Sequence, residues 1–153
     1  MIRALGPCSA ILLAIISTDV ATASSPAPEF YSRPGSRAPF SPAVRAGDFI
    51  YTSGQIGVMP DGTVPPEMKT QAKLAMDHVG SALGLAGARL EDVVHCTVML
   101  ADMTQWSAFN EVYVTYFKRG RLPARSAVGA SGLALGAGVE VECTAYQPLR
   151  AAR

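Results

Sequence analysis

Apolar and polar positions along this chain switch period repeatedly, and each switch predicts an element. Phe49-Ile-Tyr-Thr-Ser53 is aromatic and β-branched and predicts a strand, introduced by a strand end and tight turn at Val44–Asp48. Gly54 interrupts that strand, as glycine does where a strand bends or a ligand approaches the backbone. After the Pro60-Asp61-Gly62 turn the period lengthens. Ala72, Ala75, Met76, Val79, Leu83 and Ala86 recur at helical spacing, so residues 67–86 predict an amphipathic helix that Gly87 stops. Val93–Leu100 reads as a strand, with Val94, Cys96, Val98 and Leu100 on its apolar face. Asp102 or Thr104 can cap a second helix, whose stripe is Trp106, Phe109, Val112, Tyr113, Tyr116 and Phe117. Pro123 forbids its continuation. Residues 125–130 are strand-like, and residues 139–147 alternate strictly, with Val139, Val141, Cys143 and Ala145 on one face. The order ββ-α-β-α-ββ, with room for one more early strand, predicts an α+β domain with two helices on one face of a mixed sheet.

The N-terminal region breaks this pattern. Arg3, the apolar run over residues 8–16 and the small residues Ala21-Thr-Ala23 together read as a secretory signal peptide, residues 1–23. An uncleaved anchor and a misassigned start are the competing readings, although the run is short for a membrane span. The expected location is therefore periplasmic or secreted, with no membrane insertion once the signal is removed. Residues 24–38, rich in Ser, Pro and Arg, are expected to be a flexible leader, and residues 39–150 the domain.

Composition narrows the function. Of the 153 residues 49% are hydrophobic and 16% charged, with a formal net charge of +1. This argues for one folded domain and against disorder or a basic nucleic-acid footprint. The low charged fraction also fits surface buried in an oligomer. Cys96 and Cys143 occupy apolar-face positions, where they fit as small buried hydrophobes. An oxidising compartment would tolerate a bond between them, but their separation cannot be read from sequence.

The familiar phosphate-binding, metalloprotease and redox motifs are absent from the sequence. His78, mid-helix, and His95, mid-strand, read as surface or packing histidines, with no second ligand at metal spacing. Two features carry more. In Leu122-Pro-Ala-Arg-Ser126 the proline sets the start of a strand and Arg125 follows, a planar fork suited to a carboxylate, or a plain surface charge. In Val139-Glu-Val-Glu142 both carboxylates leave one face of a strand, toward solvent or a partner subunit.

Taken together, Tyr51-Thr-Ser-Gly-Gln-Ile56, Pro123-Ala-Arg-Ser126 and Val139-Glu-Val-Glu142 resemble the RidA, or YjgF-like, family of reactive-intermediate deaminases. Phe109-Asn110, Tyr113 and Tyr116-Phe117 agree with it, and the resemblance runs from about Pro39 to Tyr146. It implies a chorismate-mutase-like α+β fold and a homotrimer with clefts between subunits. It also implies hydrolysis of 2-imino or 2-enamino acids to 2-oxo acids and ammonia, as in 2-iminobutanoate and 2-iminopropanoate deaminases, with no metal or organic cofactor. The carboxylate-binding arginine falls on Arg125 and the water-positioning glutamate on Glu140. Ser53 and Gly54 fall on the strand lining the cleft, and Asn110 on the helix asparagine. Phe40 stands where family members acting on iminobutanoate commonly have tyrosine, and Ala127 where they often have cysteine. Two other readings compete: a non-catalytic exported trimer that binds small carboxylates, and a structural or chaperone-like trimer.

Overall fold

The computed structural model describes residues 26–149; the expected signal segment, 1–23, lies outside the described residues. Seven strands and two helices follow in the order β1 (Glu29–Tyr31), β2 (Ala43–Ala46), β3 (Phe49–Thr52), β4 (Gln55–Ile56), α1 (Met68–Leu85), β5 (Val93–Leu100), α2 (Trp106–Tyr113), β6 (Ala124–Gly129) and β7 (Val139–Tyr146). They form one sheet in the order β1-β2-β3-β7-β5-β6, with β4 pairing to β7 beyond the end of β3. Only β5 and β6 pair in parallel, the geometry that needs a crossover, and α2 supplies it. The α+β architecture expected from the sequence is present.

The helix-facing side of the sheet is the core. Ala72, Ala75, Met76, Val79 and Leu83 of α1 are fully buried against Val98 and Leu100 of β5 and Val139, Val141 and Ala145 of β7 in one apolar cluster. Each large aliphatic side chain so buried contributes about 1.5–3 kcal/mol. α1 ends where its stripe ends. Gly87 takes φ 75°, and the Gly87 and Ala88 N–H groups donate back to the carbonyls of Gly84 and Leu83. Asp102, rather than Thr104, caps the approach to α2, its carboxylate accepting the Thr104 N–H at 2.9 Å. α2 buries Phe109 and Tyr113 and then tightens into a 3₁₀ turn over Val114–Tyr116, where the stripe had predicted continuous helix. The Tyr116 hydroxyl donates to the Asp77 carboxylate at 2.7 Å and ties this turn to α1.

Three local features differ from the sequence reading. Part of the expected flexible leader is ordered as β1, an edge strand in register with β2 from Glu29↔Arg45 to Tyr31↔Ala43. Val94 is 43% exposed rather than inward, because a β-bulge between Val93 and His95 turns Val93 into the core instead. Arg45, which no pattern singled out, is buried at the C-terminal end of α1. Its guanidinium donates to the carbonyls of Ala86 (3.3 Å) and Gln147 (3.0 Å) and to the Gln147 side chain, joining β2, α1 and the segment after β7. A cation at a helix C-terminus is favourably placed in the helix field, so Arg45 needs no carboxylate partner.

Cys96 of β5 and Cys143 of β7 stand directly opposite each other in the register and are joined by a disulfide, closing a separation of 47 residues. The sequence left this pairing open. Cross-linking positions so far apart restricts the unfolded chain, typically by about 2–4 kcal/mol. Replacing both cysteines by alanine should therefore lower the unfolding free energy of the chain beginning at residue 26 by that order. Urea titration measures it, and treating the unmodified protein with dithiothreitol should reproduce the loss.

Candidate active site

The sequence-predicted residues gather into two groups. The first lies where β6 passes beneath α2. Arg125 pairs in register with Cys96 and shares its face, so its side chain lies on the helix side of the sheet. The guanidinium carbon sits 4.4 Å from the ring centre of Trp106 and 4.4 Å from that of Tyr113. Asn110 falls between those two aromatics on the same side of α2, at the i, i+4, i+7 spacing of one helix stripe. Ala127, two residues after Arg125, packs partly buried against the core.

Polar bookkeeping makes this group unusual. Among the described residues three buried side-chain polar atoms have no hydrogen-bond partner: Arg125 Nη1, Asn110 Oδ1 and Tyr113 Oη. All three belong to this one patch. Leaving a buried polar group unmatched costs roughly 1–3 kcal/mol, so three in one place ask for an explanation. Burial pushes the Tyr113 phenol above its ordinary range, with the Arg125 charge partly opposing, and the hydroxyl stays protonated at neutral pH.

The second group surrounds a bulge between β3 and β4. The β3–β7 ladder stops at Tyr51↔Thr144 and resumes on β4 at Gln55↔Val141, so Thr52, Ser53 and Gly54 oppose only Glu142 and Cys143. Thr52 mends the gap: its Oγ1 accepts the Cys143 N–H at 2.9 Å and donates to the Cys143 carbonyl at 3.3 Å. Ser53 is anchored to the segment after Phe40, its N–H on the Pro42 carbonyl (3.0 Å) and its hydroxyl on the Ser41 carbonyl (2.7 Å). The Glu140 carboxylate occupies the space where a side chain on residue 54 would stand, which only glycine leaves free. Phe40 is 55% exposed and borders a cavity of about 500 Å³ with Pro42, Gln55, Met59 and His78. His78 is a packing histidine, its Nδ1 3.0 Å from the Ile56 carbonyl.

One chain does not bring the two groups together. Val139, Val141 and Cys143 point to the helices, so Glu140 points the other way, onto the helix-free face, while Arg125 lies on the helix side. Two strand steps also separate β6 from β7, roughly 10 Å. Trp106 and Tyr113 pack with the core, as their place on the apolar stripe predicts; their contact with Arg125 was not anticipated, and its one signal was their spacing around Asn110.

The chain matches the family model described as Endoribonuclease L-PSP over residues 30–147. It is 41% identical over 116 residues to the 2-iminobutanoate/2-iminopropanoate deaminase of Mus musculus, covering 74% of this chain and 85% of that one. Among solved structures it resembles the YjgF gene product of E. coli, with a TM-score of 0.70 and 30% identity over 77% of this chain and 98% of that one. It also resembles E. coli TdcF with bound serine, with a TM-score of 0.70 and 29% identity over 78% and 98%.

The Gly54–Glu140 contact is open to a direct check. In Gly54→Ala the added methyl collides with the end of a flexible side chain, so the fold should survive while Glu140 is displaced. A crystal structure of the variant should show the carboxylate moved, with a urea midpoint close to that of the unmodified protein.

Proposed function

The chain belongs to the YjgF/RidA family, and from that premise we propose that it hydrolyses reactive 2-imino and 2-enamino acids to 2-oxo acids and ammonia. The observation that carries this reading is the buried, partnerless Arg125 Nη1 on the same patch as the partnerless Asn110 Oδ1. The first only donates and the second only accepts. A carboxylate next to an N–H satisfies both, and those are the two ends of a 2-imino acid. The deaminase name of the Mus musculus relative and the serine bound to TdcF support the same ligand class.

The site is completed between copies of the chain in a homotrimer. Two features support this: the opposed faces of Arg125 and Glu140, and the large apolar side chains exposed on the helix-free face. Phe49, Tyr51, Val128 and Tyr146 on that face are each more than 40% exposed in the single chain. Phe49 and Tyr146 pair across β3 and β7 with ring centres 5.2 Å apart, and aromatic side chains are enriched at interaction surfaces.

In the assembled cleft Arg125 holds the substrate carboxylate and so fixes the C=N carbon. Glu140 of the adjoining copy orients a water and takes one of its protons as the oxygen bonds to that carbon. The proton passes to nitrogen, the C–N bond of the carbinolamine breaks, and ammonia leaves with the oxo acid behind. The balance closes with imine and water alone, so no cofactor enters. Phe40 gives the mouth an apolar wall where a hydroxyl would otherwise stand, which favours apolar substrate side chains. With a net charge of +1 the chain carries no basic excess for the ribonuclease activity in the family description. The relatives give no support to a non-catalytic carboxylate binder.

Arg125→Ala should lower kcat/KM for enzymatically generated 2-iminobutanoate by roughly 30- to 1,000-fold, the order found when one partner of a charged pair is removed. Arg125→Lys should restore little, because a point charge does not reproduce the fork. Glu140→Gln should lower kcat more than it raises KM. Ammonia release measures all three, and light scattering of the same samples should give the trimer mass.

We further propose export to an oxidising compartment, supported by the Cys96–Cys143 disulfide, since such bonds persist mainly there. Mass spectrometry of protein from the source cells should find an N-terminus following Ala23, and a native chain beginning at Met1 would refute export by cleavage.

A further inference from the structure

The Arg125 guanidinium is held in place without an anion. The only side-chain ion pairs among the described residues are Lys69–Glu111 and Lys73–Asp77, both on the helix surface. Arg125 instead lies against two aromatic rings, at 4.4 Å from each. Those rings are themselves fixed. Tyr113 is wedged between Phe109 (5.6 Å between ring centres) and Phe117 (4.9 Å), and Trp106 packs on Phe109 at 6.0 Å. The row Trp106-Phe109-Tyr113-Phe117 is one continuous stripe of α2 and its last turn.

The choice of partner has a chemical consequence. A carboxylate would also fix the guanidinium, but it would neutralise the charge and occupy the N–H groups that a ligand needs. A ring attracts the cation through its π face and accepts none of those N–H bonds strongly. Arg125 Nη1 is indeed left without a partner.

We infer that Trp106 and Tyr113 are positioning residues for the carboxylate anchor: their rings clamp the Arg125 guanidinium at a set reach while keeping its charge and its donors for the ligand. The inference rests on Arg125 being that anchor. Loss of a ring leaves the cation free to rotate or to pair elsewhere, so ligand binding weakens while the water-activating step, centred on Glu140, is spared.

Trp106 is the single tryptophan of the chain, so its emission reports on the clamp alone. Arg125→Ala should shift that emission in the absence of any ligand, because the cation on the indole is gone. Titration of the unmodified protein with 2-oxobutanoate should also change it. In steady-state assays Trp106→Leu and Tyr113→Leu should each raise KM roughly 3- to 30-fold, the range for a desolvated cation–π contact, with kcat changed much less. Trp106→Phe and Tyr113→Phe, which keep a ring, should recover most of the loss. A urea midpoint within the normal range for each variant separates positioning from unfolding. The clamp is refuted if Arg125→Ala leaves Trp106 emission unchanged, or if the Phe variants are as impaired as the Leu variants. An Arg125→Ala enzyme with undiminished activity would instead refute the anchor assignment, and the emission measurement would still decide whether the clamp exists.

Discussion

The strict alternation of β7 between two paired neighbours is the constraint on which the rest depends. Val139, Val141, Cys143 and Ala145 must all face the helices, because burying them is what makes the sheet adhere to α1. Glu140 and Glu142 are then forced onto the other side, since successive side chains of a strand take opposite faces. The disulfide to Cys96 and the β5–β7 register hold that choice against slippage, for a one-residue slip would drive both glutamates into the core. Arg125, in register with Cys96, is committed to the helix side by the same logic. A single folded chain therefore places Arg125, the proposed carboxylate anchor, and Glu140, the proposed water-positioning group, on opposite faces, out of reach of one small molecule. The proposed assembly would resolve the conflict without altering either face.

The site residues are held by devices that cost stability. Three buried polar atoms lack partners beneath α2, and the β3–β7 ladder is broken at Ser53–Gly54 to leave room for Glu140. Neither is what a sheet built only for stability would contain. Each is compensated nearby: Thr52 mends the broken ladder on its core side, and the aromatic row on α2 supplies packing around Arg125. Local exceptions to good packing and full hydrogen bonding thus coincide with the residues to which the proposed function gives a role.

The elements with a clear period were legible in the sequence. The bounds of β5 and β7 and of α1 follow almost directly from where their apolar stripes start and stop, and Gly54 marked the strand interruption. What escaped lacked a periodic signal. β1 is only Glu29-Phe-Tyr31, set in a Ser- and Pro-rich stretch and too short to show a period, and it adds to the open edge of β2. The β5 bulge moves Val94 outward without altering composition. Arg45 is an arginine in a short strand, and only the fold brings Ala86 and Gln147 to it. The disulfide depends on a register that sequence alone does not fix. For the site, Arg125, Glu140, Gly54 and Asn110 were identifiable from motifs, but their division between two faces was not, although the alternation of residues 139–147 already contained half of it. Trp106 and Tyr113 were read as apolar stripe and do pack with the core, but their contact with Arg125 left no signal, since an aromatic on an amphipathic stripe looks the same whether it packs against a leucine or a guanidinium.

A sparse site is sufficient for the proposed chemistry. A 2-imino acid, once protonated, is already electrophilic at the carbon to be attacked, so the protein need not generate a strong nucleophile or stabilise a large developing charge. What remains is orientation and the delivery of one water, and orientation is where rigidity counts most. This explains why so much of α2 is spent on one arginine. A guanidinium on a free surface side chain would bind a carboxylate in many poses, few of which present the C=N carbon to Glu140. One pressed against two rings, themselves wedged by Phe109 and Phe117, offers the ligand a nearly fixed donor direction. The same arrangement explains why Arg125 has no acidic partner among the described residues. An anion there would stabilise the empty protein and compete with every substrate, whereas the aromatic surface holds the cation and leaves its hydrogen bonds for the molecule that arrives.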